Sequence, residues 1–365
     1  MAERKRFIFV DVLNVIACIA VIILHVSLEV FDTSSGRWSR ALLLQSLAIF
    51  AVPVFFMISG MNLIGYRDKY STEIFFRKRL WKVGRALILA SVFCYLLFCL
   101  FPHSFYGAQG YAANFGVVDF IGRFFTNSIN DIYWFLYVII YLYVITPLLS
   151  LAKDNRILMQ YLLILSFAVS ICFPFMMFCG IRPEYLNTLF NWPLFTSSAM
   201  FYYLLGYYIV HFIEQYPPIW IPMVGIVLSV IAMFLGGLIV NGYFSGQVNH
   251  TYQKYLVSTS SPLCVLEALC LFMLLASLEK RFVKLPERAT GLIRKISAAS
   301  FGVYLFHILI IDWAGASLPG RALATWNNHP LVRAAVVYVV TLAAVMIGKK
   351  AINSLKTVRQ CRKGK

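Results

Sequence analysis

Charge is what this sequence has least of. Only 13% of its 365 residues are Asp, Glu, Lys or Arg, about half the roughly 25% that a water-facing domain carries. That shortage excludes an ordinary soluble globule. Acidic side chains are scarcer still, 15 against 32 Lys and Arg, which leaves a formal net charge of +17. Metal and redox motifs are missing. The eight cysteines are scattered with no Cys-x-x-Cys pair, and the six histidines form no His-Glu-x-x-His, so no metal is expected. Cys172 and Cys179 stand two turns apart in one apolar run and read as buried small hydrophobes on a common face. Repeats, low-complexity runs and an appended soluble domain are also absent. Residues 1–365 are expected to form one transmembrane domain with a short basic tail at 349–365.

What the sequence has in excess is apolar length. Hydrophobic residues make up 61% of the chain, and mean hydropathy is +0.77. They fall in blocks of about twenty, the length that spans the hydrocarbon core of a bilayer. Spans are predicted at 7–29, 42–64, 83–102, 132–151, 157–178, 193–212, 219–240, 262–278, 297–316 and 331–348. The predicted fold is an all-α integral membrane bundle of about ten transmembrane helices. Pro102, Pro147 and the pair Pro217-Pro218 punctuate the runs. The first run is too long for a cleaved signal and lacks a small-residue cleavage site, so it reads as a retained helix.

Lys and Arg divide 25 to 7 between alternate sides of the ten spans. The rich side holds Arg4, Lys5 and Arg6, the stretch Arg67–Arg85, Lys153 and Arg156, the segment 279–296 and the tail. The poor side holds Arg37, Arg40, Arg123, Arg182, Lys254, Arg321 and Arg333. Basic loops stay inside, so both termini are expected in the cytoplasm. This distribution also accounts for the net charge through topology and anionic lipid, and no nucleic-acid partner is expected.

An ionisable residue in hydrocarbon is costly enough to be a functional candidate by default. His25 stands 18 residues beyond Phe7, about 27 Å along a helix, near the outer end of the first span. Glu29 follows four residues later, on the same face if the helix continues. The pair suits a general base with an orienting carboxylate, or else an interfacial histidine beside a solvated acid. Asp11 and Asn14 neighbour each other at the inner end, either holding a basic partner or serving the helix start. Arg77, Lys78, Arg79, Lys82 and Arg85 crowd an inner loop among Phe75, Phe76 and Trp81. They suit a clamp on donor phosphates or a positive-inside anchor with an aromatic belt. His307 and Glu267 are intramembrane groups that fit either a substrate site or packed structure. Trp134, Tyr137 and Tyr141 share one helix face, as packing or as a sugar platform.

The segments FVDVLNVIACIAVIILH, FAVPVFFMISG, FFRKRLWKVGR, YWFLYVIIYLYVITPLL, FYYLLGYYI and SFGVYLFHILII run in the order seen in the membrane acyltransferase 3 family. The chain resembles that family from about residue 7 to residue 312. The resemblance implies transfer of an acyl group, usually acetyl, from cytosolic acyl-coenzyme A to a hydroxyl on an extracytoplasmic polysaccharide or glycolipid. Acetyl-CoA would then be the acyl donor. The family's catalytic histidine falls on His25, and its aspartate fourteen residues earlier falls on Asp11. Its arginine eleven residues before the histidine is replaced here by Asn14, which carries no charge for a phosphate or for Asp11. The basic inner motif matches Arg79 and, with lysine for the second arginine, Lys82. Arg77 is expected to assist them, His307 matches the bundle-facing histidine, and Trp134, Tyr137 and His307 are the substrate-binding candidates. The competing class is a small-molecule transporter built on the same membrane domain. The expected setting is the bilayer of a bacterial plasma membrane. The acceptor and the oligomeric state, a homo-oligomer included, are left open.

Overall fold

The computed structural model describes residues 7–181, 197–246, 248–249 and 251–363, with side chains through 354. Arg4, Lys5, Arg6, Arg182, the first residues of the predicted 193–212 span and the side chains of the tail beyond 354 lie outside the described residues. Among the described residues there is no strand, and nine helical stretches are long and apolar enough to cross a membrane. The protein is an all-α membrane bundle.

Helix α1 covers Ile8–Val26. The predicted 42–64 span is two helices, α2 (Trp38–Ala48) and α3 (Ala51–Leu63), joined through Ile49 and Phe50. Pro53 explains the break, because it has no N–H to reach the carbonyl of Ile49 and its ring crowds that carbonyl. Helix α4 runs Thr72–Leu100 and starts well before the predicted residue 83. Ser71 caps it by accepting from the Ile74 N–H at 3.4 Å, and a π-helical turn occupies Phe76–Leu80. The basic motif expected on a loop is therefore helical. The short helix α5 (Val117–Phe125) precedes α6 (Trp134–Leu149), which carries Pro147 near its end.

Helix α7 spans Arg156–Phe178, with a π turn over Ala168–Cys172 just ahead of Pro174. That turn changes the helical register, and Cys179 lies beyond the helix end. Cys179 is exposed and Cys172 half-buried, so the expected buried pair on one face is not what forms. The remaining helices are α8 (Ser198–Phe212), α9 (Trp220–Val240), α10 (Pro262–Ser277), α11 (Glu287–Ser317), α12 (Gly320–Asn328) and α13 (Pro330–Lys363).

The chain divides into two compact units, Met1–Ala90 with Tyr133–Leu285 and Ser91–Ile132 with Pro286–Lys365. In the first, α8 is the central element and packs along α3. Its residues Ala199–Tyr207 are all buried, as expected of a helix that is apolar on every side. At 15 residues it is shorter than the roughly 20 needed to cross hydrocarbon, so surrounding helices must shelter it. The α3–α8 crossing uses glycine on both sides. A Cβ on Gly60 would collide with the carbonyl of Tyr203, and one on Gly206 with the backbone of Met57. Close backbone approach of this kind is how helices gain packing energy where lipid removes the hydrophobic incentive. A second cluster joins Trp38 and Leu42 of α2 to Met233 and Leu238 of α9, with Val30, Val257 and Cys264.

In the second unit, α11 packs on α13, and Gly302 accommodates Val345. The segment before α6 is fastened by a polar knot. Asp119 accepts from Tyr95 Oη at 2.9 Å and from Arg123 Nε at 2.8 Å. The Arg123 guanidinium lies 4.2 Å from the centre of the Tyr111 ring, and the Tyr111 hydroxyl donates to the carbonyl of Ser128 at 2.8 Å. The hydrogen bond from Arg123 holds the Asp119 carboxyl below the usual carboxylate range.

Candidate active site

All the predicted site residues except His307 belong to the first unit. At one end of α1 stands His25, half-buried, with Nδ1 2.8 Å from the carbonyl of Val21. A carbonyl only accepts, so Nδ1 carries the proton and the basic lone pair of the neutral ring is on Nε2. The helix stops one residue later. Ser27 turns its hydroxyl back onto the carbonyl of Ile23 at 2.7 Å, and the chain continues as a 3-10 turn over Leu28–Phe31. The expected continuation of α1 to residue 29 therefore does not occur, and helical spacing no longer relates Glu29 to His25. The Glu29 carboxylate meets Arg37 at 3.1 Å instead.

Two side chains from the following segment fix this end of α1. Gln45 Nε2 donates to the carbonyl of Leu24 at 2.8 Å and to Ser27 Oγ at 2.9 Å. Trp38 Nε1 donates to the carbonyl of Val30 at 2.9 Å. The last carbonyls of a helix have no partner within it, so a buried amide aimed at one of them both satisfies it and holds the histidine-bearing turn in place. Nothing in the sequence pattern marks Gln45 for this role, since its partner lies 21 residues away.

The opposite end of α1 is capped just as remotely. The Glu279 carboxylate accepts from the N–H of Ile8 at 3.0 Å and of Phe9 at 2.8 Å, satisfying two orphan donors and complementing the helix dipole. Asp11 is buried in the first turn and Asn14 half-buried beyond it. In the sequence Glu279 shows only as one of two acids, with Glu287, in a basic segment.

The basic cluster of α4 divides by direction. Arg79 is half-buried and lies within electrostatic reach of Tyr143 and Tyr203. Tyr203 Oη shares a hydrogen bond with Thr146 at 2.8 Å, and both tyrosines are buried. Arg77, Lys78, Lys82 and Arg85 are exposed. Lys78 sits 5.2 Å from the ring centre of Tyr70, and Arg85 6.0 Å from that of Trp81. Nearby cations have partners of their own. Lys153 contacts Asp154 and Asp68, both at 2.6 Å, and these hydrogen bonds hold its pKa above the ordinary lysine value. Arg67 donates to Ser150 Oγ at 2.6 Å. Among the described residues no carboxylate pairs with Arg77, Arg79 or Lys82. Unneutralised cations at the end of a bundle suit anionic oxygens such as those of a phosphate.

Trp134 is exposed as the first residue of α6, and Tyr137 is half-buried one turn on. Glu267, on α10, is buried among Tyr202 and Cys264, and its Oε2 has no hydrogen-bond partner among the described residues. In the second unit His307 is fully buried on α11, its Nδ1 2.8 Å from the carbonyl of Tyr304. The Tyr304 hydroxyl in turn donates to the carbonyl of Ile132.

Searches among curated proteins and among solved structures found no match. A family model described as an acyltransferase domain matches residues 7–348. That match takes in both ends of α1, the basic turn of α4 and the buried histidine of α11, and by it the chain belongs to the acyltransferase 3 family of membrane proteins.

Proposed function

We propose that the chain moves an acyl group, acetyl by the habit of the family, from cytosolic acyl-coenzyme A to a hydroxyl of an extracytoplasmic polysaccharide or glycolipid. The observation that carries this reading is the state of His25. With Nδ1 committed to the Val21 carbonyl, Nε2 is the atom that can accept a proton, the role of a general base. Gln45 supports it by holding the turn that follows.

Arg79 and Lys82 would hold the donor's phosphates at the cytosolic face, with the thioester threaded into the bundle past Tyr143 and Tyr203. His25 Nε2 takes the proton of the acceptor hydroxyl as its oxygen attacks the thioester carbonyl carbon. The new C–O bond forms, the C–S bond breaks, and the proton passes from His25 to the departing thiolate. Asn14 leaves the inner end of α1 without the positive charge most relatives place there, so donor affinity rests more heavily on α4. Trp134 and Tyr137 supply an aromatic face suited to a sugar ring. The setting of this reaction is a bacterial plasma membrane, with the basic turn of α4 on its cytosolic side by the charge bias of the sequence.

Acceptor acetylation by membranes carrying His25→Ala should fall to background while the protein remains in the membrane at its normal level. Persisting acetylation would remove His25 from the mechanism. In the purified protein, millimolar acetyl-CoA should raise the melting temperature, since a ligand of the folded state stabilises it by mass action. Arg79→Ala should abolish that rise. No response in the unaltered protein would reject acetyl-CoA as the donor.

A further inference from the structure

The start of α4 and the flank of α6 enclose a groove of about 620 Å³. Phe76, Leu80, Trp81 and Gly84 of α4 and Ile140 and Val144 of α6 form its walls, and Arg77 is the charged group among the lining residues. The π turn of α4 supplies Phe76, Arg77 and Leu80. Turns of this type recur at functional positions.

Two observations bear on what fills the groove. Trp81 and Val144 are 59% and 55% exposed on helices that cross the bilayer, so this surface meets acyl chains rather than water. The cations beside it, Arg77, Lys78, Lys82 and Arg85, are exposed, whereas Arg79 alone is drawn toward the buried tyrosines. An all-carbon trough with positive charge at the cytosolic end complements a molecule that has a long apolar chain and an anionic head. The pantetheine and adenine of a coenzyme A are too polar for such walls.

We propose that this groove binds an anionic phospholipid of the surrounding bilayer, with one acyl chain between α4 and α6 and the headgroup phosphate on Arg77. Basic pockets between helices on the cytoplasmic side select such lipids. The assignment takes Arg77 for the lipid and leaves Arg79 and Lys82 to the acyl donor.

Native mass spectrometry of the full-length protein, titrated with phosphatidylglycerol or phosphatidylcholine of equal chain length, tests it. Phosphatidylglycerol should bind about fivefold more tightly, the contribution of one juxtamembrane cation. Arg77→Ala should erase that preference. Gly84→Leu should weaken both lipids, because the space over Gly84 is open and a leucine there occupies the trough while favouring the helix. A wild-type protein without the preference, or a preference intact in both folded variants, would overturn the proposal. So would mole-for-mole displacement of phosphatidylglycerol by a long-chain acyl-CoA, which would give the groove to the donor instead.

Discussion

Gln45 is a residue whose importance is out of proportion to its chemistry. Its side-chain amide reaches a helix-terminal carbonyl and a hydroxyl on the turn that follows His25. Gln45→Leu keeps the volume, removes the donor and leaves the Leu24 carbonyl only its longer contacts with Ser27, from N at 3.4 Å and Oγ at 3.3 Å. The expected cost is about 1–3 kcal/mol of stability, read by thermal denaturation in detergent. Catalysis should suffer separately. On the proposed mechanism a displaced His25 lowers kcat, while the KM for the acyl donor stays unchanged, because the cations proposed for the donor are on α4 and not on this turn. Equal losses in both constants would mean that Gln45 serves the whole bundle and not the histidine. At this scale the sequence was legible where a single ionisable group stands in an apolar run, as His25 and Asp11 do at the two ends of α1. It was illegible where a side chain answers a backbone group far along the chain. Glu279 caps residues some 270 positions away, and local pattern carries no trace of such a pairing. The expected helical spacing of Glu29 to His25 failed for a related reason: helical periodicity applies only as far as the helix, and Ser27 ends it.

Among the elements, glycine separates the helices that must touch from those that need not. Gly206→Val would force a side chain into the backbone of Met57, which cannot swing aside as a side chain can. A cost of about 3 kcal/mol or more is expected, seen as loss of a monodisperse folded fraction on purification. Gly291→Ala, on α11, meets open space and should raise stability by up to about 1 kcal/mol through helix propensity alone. If the two substitutions behaved alike, the α3–α8 crossing would not be the close contact described. Apolar length made most helices readable, since few other folds tolerate twenty such residues in succession. Their interruptions were less so. Pro53 and Pro174 were visible in the sequence, but whether a proline breaks, bends or merely follows a wide turn depends on the helices packed against it.

For the molecule as a whole, the charge bias predicts sidedness that its own cysteines can report. Cys179 is exposed just beyond α7 and should face the outside, whereas Cys361 belongs to the basic tail and should face the cytoplasm. A membrane-impermeant maleimide applied to intact cells should label the protein, and Cys179→Ser should remove the label. Labelling that survives Cys179→Ser but disappears with Cys361→Ser would invert the topology and place His25 on the cytoplasmic side, away from any extracellular acceptor.

The α3–α8 crossing has a consequence for how the protein is made. Helix α3 leaves the ribosome nearly 140 residues before α8, so its glycine face enters the bilayer with no partner yet synthesised. Several apolar segments are inserted in the interval, and each is a chance for α3 to pair wrongly. The short, aromatic α8 then has to find that face and become enclosed by helices already in place. Assembly of the first unit is thus held open until late in translation, and a pause or truncation before residue 212 would leave the machinery of membrane insertion holding half a bundle without its centre.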